Sequence, residues 1–192
     1  MKRWGIVLTA LGLAVTAGGV APTVAAAAPS AATQSTAFAC EAGWGSLDKA
    51  LATHSEEPLT NVRTGRHDCY DRMVFDVPGM TTADPAGHRV GYVDRITHVS
   101  ETPIPVGGGA ILAVRIATPV FLPGTTTPAY PVSALAAPLP GVNLTGYETF
   151  RDARYAGYYH GETTIGLGVR ARLPFRVLTL PDRVVVDVAH TW

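Results

Sequence analysis

Asp71-Arg72-Met73-Val74-Phe75-Asp76-Val77 closes the segment that runs from Val62 through Gly65, Arg66, His67, Cys69 and Tyr70, and it returns near the C-terminus as Asp182-Arg183-Val184-Val185-Val186-Asp187-Val188. Side chains alternate faces along a strand, so Met73, Phe75 and Val77 share one face while Arg72, Val74 and Asp76 share the other. Val184, Val186 and Val188 follow the same rule. Two β-branched strands that each begin Asp-Arg, with an Asp four residues after the Arg, describe a domain of two related halves. Within one strand that Arg and Asp stand about 13 Å apart, too far to bond. The natural partners of Arg72, Asp76, Arg183 and Asp187 are therefore charges on neighbouring strands, where such pairs set register.

Outward from this stretch, residues 59–64 and 72–77 read as a hairpin with a long polar tip over 65–70. Residues 89–99 and 110–118 are further strands, separated by the turn Gly107-Gly108-Gly109. No helix with a Lys follows those glycines, which excludes a phosphate cradle. Pro119, Pro123, Pro128, Pro131, Pro138 and Pro140 make 119–146 an irregular excursion, with Phe121, Tyr130 and Leu135 available for docking. The last third reads as a meander over 148–159, 162–171, 175–180 and 183–190. In it Gly166 and Gly168 share one strand face, which invites close approach of another backbone or an aromatic ring. Ahead of the hairpin, Ser46 is a candidate cap for a short helix over 47–52. The pattern as a whole predicts an all-β chain: an antiparallel β-sandwich or open barrel of two related halves, with a short N-terminal helix or coil.

The chain opens with Lys2 and Arg3, an apolar run from Trp4 to Val20 and the small-residue tract Ala25–Ala28. That pattern is a secretory signal peptide over 1–28. Residues 29–39 form a disordered linker, too poor in apolar bulk to order. The folded domain occupies 40–192, and no segment after cleavage is long and apolar enough to span a membrane. Of fifteen basic residues, Lys2 and Arg3 leave with the signal; the remaining thirteen face fifteen acidic ones, and all but Lys49 are Arg. Without a basic surplus a nucleic-acid partner is not expected. Cys40 and Cys69 are the only cysteines, and export makes a Cys40–Cys69 disulfide the natural reading. Such a bridge would bring Trp44 to the 62–77 hairpin.

No catalytic motif emerges. The six His are isolated and lack the spacing of a zinc hydrolase, and Ser46 lacks the second Gly of a nucleophile elbow. No metal or cofactor is implied. His67 with Asp68 and Asp71 is a conceivable acid/base group at the hairpin tip, but a solvated loop histidine explains the same residues. For binding, Arg63, Arg66, His67, Tyr70, Tyr92, Tyr158 and Tyr159 are the candidates. Tyrosine faces stack on sugars and Arg pairs with carboxylates, the features cell-wall polymers present. A protein-partner module would use exposed sheet edges instead.

Val62-Arg63-x-Gly65-x-His67-x-x-Tyr70-Asp71-Arg72-x-Val74-Phe75-Asp76, Tyr92-Val93-Asp94, Pro174-Phe175-Arg176-Val177 and Arg183–Val188 together resemble the AMIN-like domain of secreted proteins and lipoproteins of actinobacteria. The likeness covers about Cys40 to His190. More distantly it resembles the AMIN domain, a β-sandwich that sits beside cell-wall amidases and helps target them to peptidoglycan. The resemblance implies a secreted, non-catalytic envelope protein, extracellular or wall-associated, that binds peptidoglycan or a cell-wall-associated protein. The anchoring Cys of the family's lipoproteins is missing after the signal, and no amidase domain follows.

Overall fold

The computed structural model describes residues 43–192. The expected signal peptide over 1–28, the expected linker over 29–39 and Cys40 lie outside the described residues, and with them the expected Cys40–Cys69 bridge. Eleven strands follow in chain order: β1 (Lys49–Leu51), β2 (Asn61–Arg66), β3 (Tyr70–Asp76), β4 (Gly87–Val93), β5 (Ile96–Thr97), β6 (Pro103–Ile104), β7 (Ala110–Ala117), β8 (Phe150–Tyr159), β9 (Glu162–Val169), β10 (Phe175–Leu180) and β11 (Arg183–Ala189). They form a five-stranded sheet ordered β1-β4-β7-β9-β8, a four-stranded sheet ordered β10-β11-β3-β2, and the small pair β5-β6. All pairings are antiparallel. The described residues form an all-β sandwich.

The repeated heptapeptide explains itself in the four-stranded sheet. β3 and β11 are neighbours whose register pairs Asp71 with Val188, Arg72 with Asp187, Met73 with Val186, Val74 with Val185, Phe75 with Val184 and Asp76 with Arg183. Each copy thus reads the other backwards, about a local two-fold axis through the Val74/Val185 pair. Met73, Phe75, Val77, Val184, Val186 and Val188 are all fully buried in the core, as their alternation requires. The opposing face of the core comes from Val90, Leu112, Val114, Ile116, Ile165, Leu167 and Val169 of the five-stranded sheet.

Three local expectations change. The expected helix over 47–52 is replaced by β1, which pairs Lys49 with Val90 and Leu51 with His88. Six residues are too few to recover the cost of helix nucleation, whereas the edge of β4 supplies backbone partners at once. The hairpin tip is only 67–69, closed by the His67 N–H donating to the Tyr70 carbonyl at 2.9 Å. Arg66 and Tyr70 therefore stand on strands. The C-terminal third is two hairpins rather than one meander: β8-β9 belongs to the five-stranded sheet and β10-β11 to the four-stranded one, with the change of sheet just ahead of Pro174.

The glycine face of β9 is covered as its sequence implies. A Cβ on Gly168 would lie 1.7 Å from the Gly107 carbonyl oxygen, and one on Gly166 would lie 2.6 Å from Val106. The segment 94–109, including β5 and β6, packs there with Ile96, Ile104, Ala113 and Ala156 in a second small apolar cluster. The proline-rich excursion docks through Tyr130, which is buried and donates its hydroxyl to the Pro140 carbonyl at 2.7 Å. It also shields the β8 edge, where Ala136 and Leu139 donate their N–H groups to Tyr155 and Ala153.

Candidate functional site

Register places three rows of side chains on the outer face of the four-stranded sheet. The first is Arg176, Asp187, Arg72 and Gly65; the second is Leu178, Val185, Val74 and Arg63; the third is Leu180, Arg183, Asp76 and Asn61. In the first row the fully buried Asp187 carboxylate accepts from Arg72 Nε at 2.7 Å and a terminal nitrogen at 2.9 Å, and from Arg176 Nε at 2.8 Å. Neighbouring strands hold those two guanidiniums on either side of one carboxylate. The Arg side chain of Arg176 is 4 % exposed and that of Arg72 is 25 % exposed.

Aromatic rings cover this row. Tyr70 lies under both guanidiniums, at 5.2 Å from Arg72 and 5.1 Å from Arg176, and accepts a hydrogen bond from Arg72 at 3.3 Å. Trp44 sits 5.6 Å from Tyr70 and 4.7 Å from the Arg176 guanidinium, so the indole does reach the hairpin. His67 stacks on Tyr70 at 4.4 Å. Cation–π contacts of this kind contribute roughly 0.5–2 kcal/mol each, more when dry, and they fix the ring faces. Arg66 extends beyond the stack and meets Glu148 at 3.6 Å, both side chains about half exposed.

The remaining charges of the echo behave differently. Arg183 and Asp76 are opposite in register, yet Arg183 donates to the nearby Pro181 carbonyl at 3.2 Å. Asp76 instead takes a forked bond from Arg63, at 2.9 and 3.0 Å, and one from Asn61. This bond holds the Arg63 guanidinium above its ordinary pKa, against the opposing effect of burial. Asp71 points into the sandwich. Its buried carboxylate accepts the Thr149 and Phe150 N–H groups and faces His190 Nε2 at 3.0 Å. His190 Nδ1 in turn faces Glu148 at 3.4 Å. Asp71 therefore ties the four-stranded sheet to the start of β8, and the trio His67, Asp68 and Asp71 is not assembled: His67 lies on Tyr70, on the other side of the sheet from the Asp71 carboxylate.

The sequence-derived binding residues divide into groups. Arg66, His67 and Tyr70 are together at the hairpin end, with Arg63 further along the same face. Tyr92 belongs to another element: its hydroxyl donates to the Leu173 carbonyl at 2.7 Å and accepts from the Leu173 N–H at 3.0 Å, and burial raises its pKa. Tyr158 packs edge-on against Phe121 at 5.6 Å. Tyr159 is 52 % exposed and stacks on His160 at the β8-β9 turn. Since β8 starts beside Asp71, Tyr159 is about 30 Å along the strand from the hairpin end. Trp44 and Arg176 complete the cluster. Arg176 escaped the sequence reading because only the register of β10 on β11 reveals that it shares a carboxylate with Arg72. Among the described residues no group of three His, Cys, Asp or Glu is arranged to hold a metal ion, and no helix is long and apolar enough to cross a membrane.

These features define a class: an all-β sandwich module whose repeated strand pair carries arginines and stacked aromatics on the outer face of one sheet. The model of the AMIN-like domain matches residues 57–190, and the chain belongs to that family. No curated protein and no solved structure matches the chain.

Proposed function

We propose that the protein is a secreted, non-catalytic module of the cell envelope that binds peptidoglycan through the hairpin end of its four-stranded sheet. Family membership supports a cell-wall setting. The observation that carries the reading is the stack of His67, Tyr70 and Trp44 on guanidiniums organised by Asp187, with Arg66 projecting beside it. Fixed aromatic faces suit the apolar faces of sugar rings, and exposed Arg suits carboxylates. Export through the 1–28 signal peptide and closure of a Cys40–Cys69 bridge belong to the same reading.

The test is co-sedimentation of the mature protein with isolated sacculi, comparing wild type with Arg66→Ala, His67→Ala and Tyr70→Ala. Each substitution should reduce retention while the melting curve of Arg66→Ala and His67→Ala stays near wild type. Retention that ignores all three would remove the hairpin end from the site. A second reading, capture of a protein partner, rests on the edge of β10. Among the described residues Gly45 alone bridges that edge, at Phe175, and Leu178 and Leu180 lie beyond the bridge, the latter 39 % exposed. Under that reading sacculi stripped of protein retain nothing.

A further inference from the structure

A cleft of about 400 Å³ opens where the end of β4, the start of β7 and the loop between β9 and β10 meet. Its volume lies within the range of roughly 300–1,000 Å³ usual for small-molecule sites. Tyr92, Val93, Val106 and Ile111 supply apolar walls, the Gly108-Gly109 backbone contributes to the lining, and Asp94 and Arg172 are the charged lining residues. The glycines are required there: a Cβ on Gly108 would lie 2.7 Å from the Val169 carbonyl oxygen and one on Gly109 2.2 Å from that of Arg170.

Asp94 and Arg172 line one cleft with opposite charges and yet do not pair. Among the described residues neither is in an ion pair. Arg172 is instead held over the Tyr92 ring at 5.1 Å, and that ring is fixed by its two hydrogen bonds to Leu173 and by edge contact with Phe175 at 5.6 Å. A guanidinium and a carboxylate therefore line one cleft of mixed polar and apolar character without pairing with each other, and the guanidinium is held by the Tyr92 ring. We propose that this cleft binds a short zwitterionic peptide, with its carboxylate on Arg172, its ammonium on Asp94 and a small apolar side chain against Val106 and Ile111. This ligand chemistry has two sources, short peptides in solution and the stem peptides of wall polymer, which are joined to the glycan through their N-terminus and would offer a C-terminal carboxylate with a side-chain amine; the second source rests on the wall reading above.

The probe is the dipeptide alanylalanine, titrated calorimetrically into the mature protein, beside its N-acetylated and C-amidated forms. The free dipeptide should bind, and blocking either end should weaken it about tenfold, the weight of one hydrogen bond to a charged group. Asp94→Asn should remove the penalty for acetylation alone, and Arg172→Gln the penalty for amidation alone. Because both residues are exposed, each variant should fold, which a melting curve checks. Sacculus retention then separates the sources. Competition by free dipeptide places the stem peptide in the cleft, and binding of dipeptide without competition assigns the cleft to peptides in solution. Failure of wild type to bind the dipeptide, or equal affinity for free and blocked forms, overturns the proposal. Hairpin variants would still lose sacculus retention in that case, so the wall reading fails or stands separately.

Discussion

Asp187→Asn removes the charge at the centre of the outer sheet face while keeping the shape of the side chain. Asp187 is fully buried and is the shared acceptor of three donated hydrogen bonds from two guanidiniums, at 2.7, 2.9 and 2.8 Å. Breaking a buried charge pair by removing one partner costs roughly 3–5 kcal/mol, because the other charge stays behind. Arg72 is a quarter exposed, so water recovers part of its loss and the lower figure, about 3 kcal/mol, applies. For a domain of this size each kcal/mol lowers the melting temperature by about 2–4 °C, so a fall of about 6–12 °C is expected by thermal denaturation followed by circular dichroism. Asp76→Asn is the internal control, because Asp76 holds the same place in the repeated heptapeptide. Its partner Arg63 is 48 % exposed, and a surface pair of this kind contributes about 1 kcal/mol or less. Equal shifts for the two variants would refute the claim that the echo positions differ by burial and by the number of guanidiniums each serves.

Gly168→Ala should be strongly destabilising, since its Cβ meets the Gly107 carbonyl at 1.7 Å, whereas Gly65→Ala meets nothing nearer than 3.8 Å and should melt near wild type. Burial lowers the His88 pKa below its ordinary 6.5. The unfolded chain therefore takes up a proton at His88 before the native state does, so stability falls as pH drops below 6.5 toward the native value. His88→Leu should flatten that slope in melts run from neutral to acid pH, and an unchanged slope would contradict it. Intact mass should show the exported protein beginning near Ala28 with Cys40 bridged to Cys69. Reduction should then cost about 3–4 kcal/mol in the chain-entropy model, read as a lower melting temperature.

Strand alternation made the core legible because period two is carried by the side chains themselves. Met73, Phe75, Val184 and Val186 declared their burial in a short window, and Gly166 and Gly168 declared a covered face. Pairing partners were less accessible. The echo gave two alike strands, but only their antiparallel register shows why Arg72 reaches Asp187 while Arg183, equally placed, turns to Pro181. Asp71 and Asp182 look equivalent in sequence, and their work differs through distant segments: Asp71 receives N–H groups from Thr149 and Phe150, and Asp182 receives that of Gly79 at 2.8 Å. The helix expected at 47–52 was lost for the complementary reason. Local propensity is a weak prior beside an open strand edge, and Lys49 to Leu51 took the β4 edge.

The most direct measurement is an equilibrium binding isotherm of the wild-type mature protein on protein-free sacculi, repeated across a salt series. Arginine attraction to carboxylates is screened over about 8 Å at physiological ionic strength and about 3 Å at 1 M. The account requires saturable binding at low salt that weakens steadily as salt rises, with residual affinity left by the stacked rings. Absence of saturable binding at low salt, or an isotherm indifferent to salt, would contradict it.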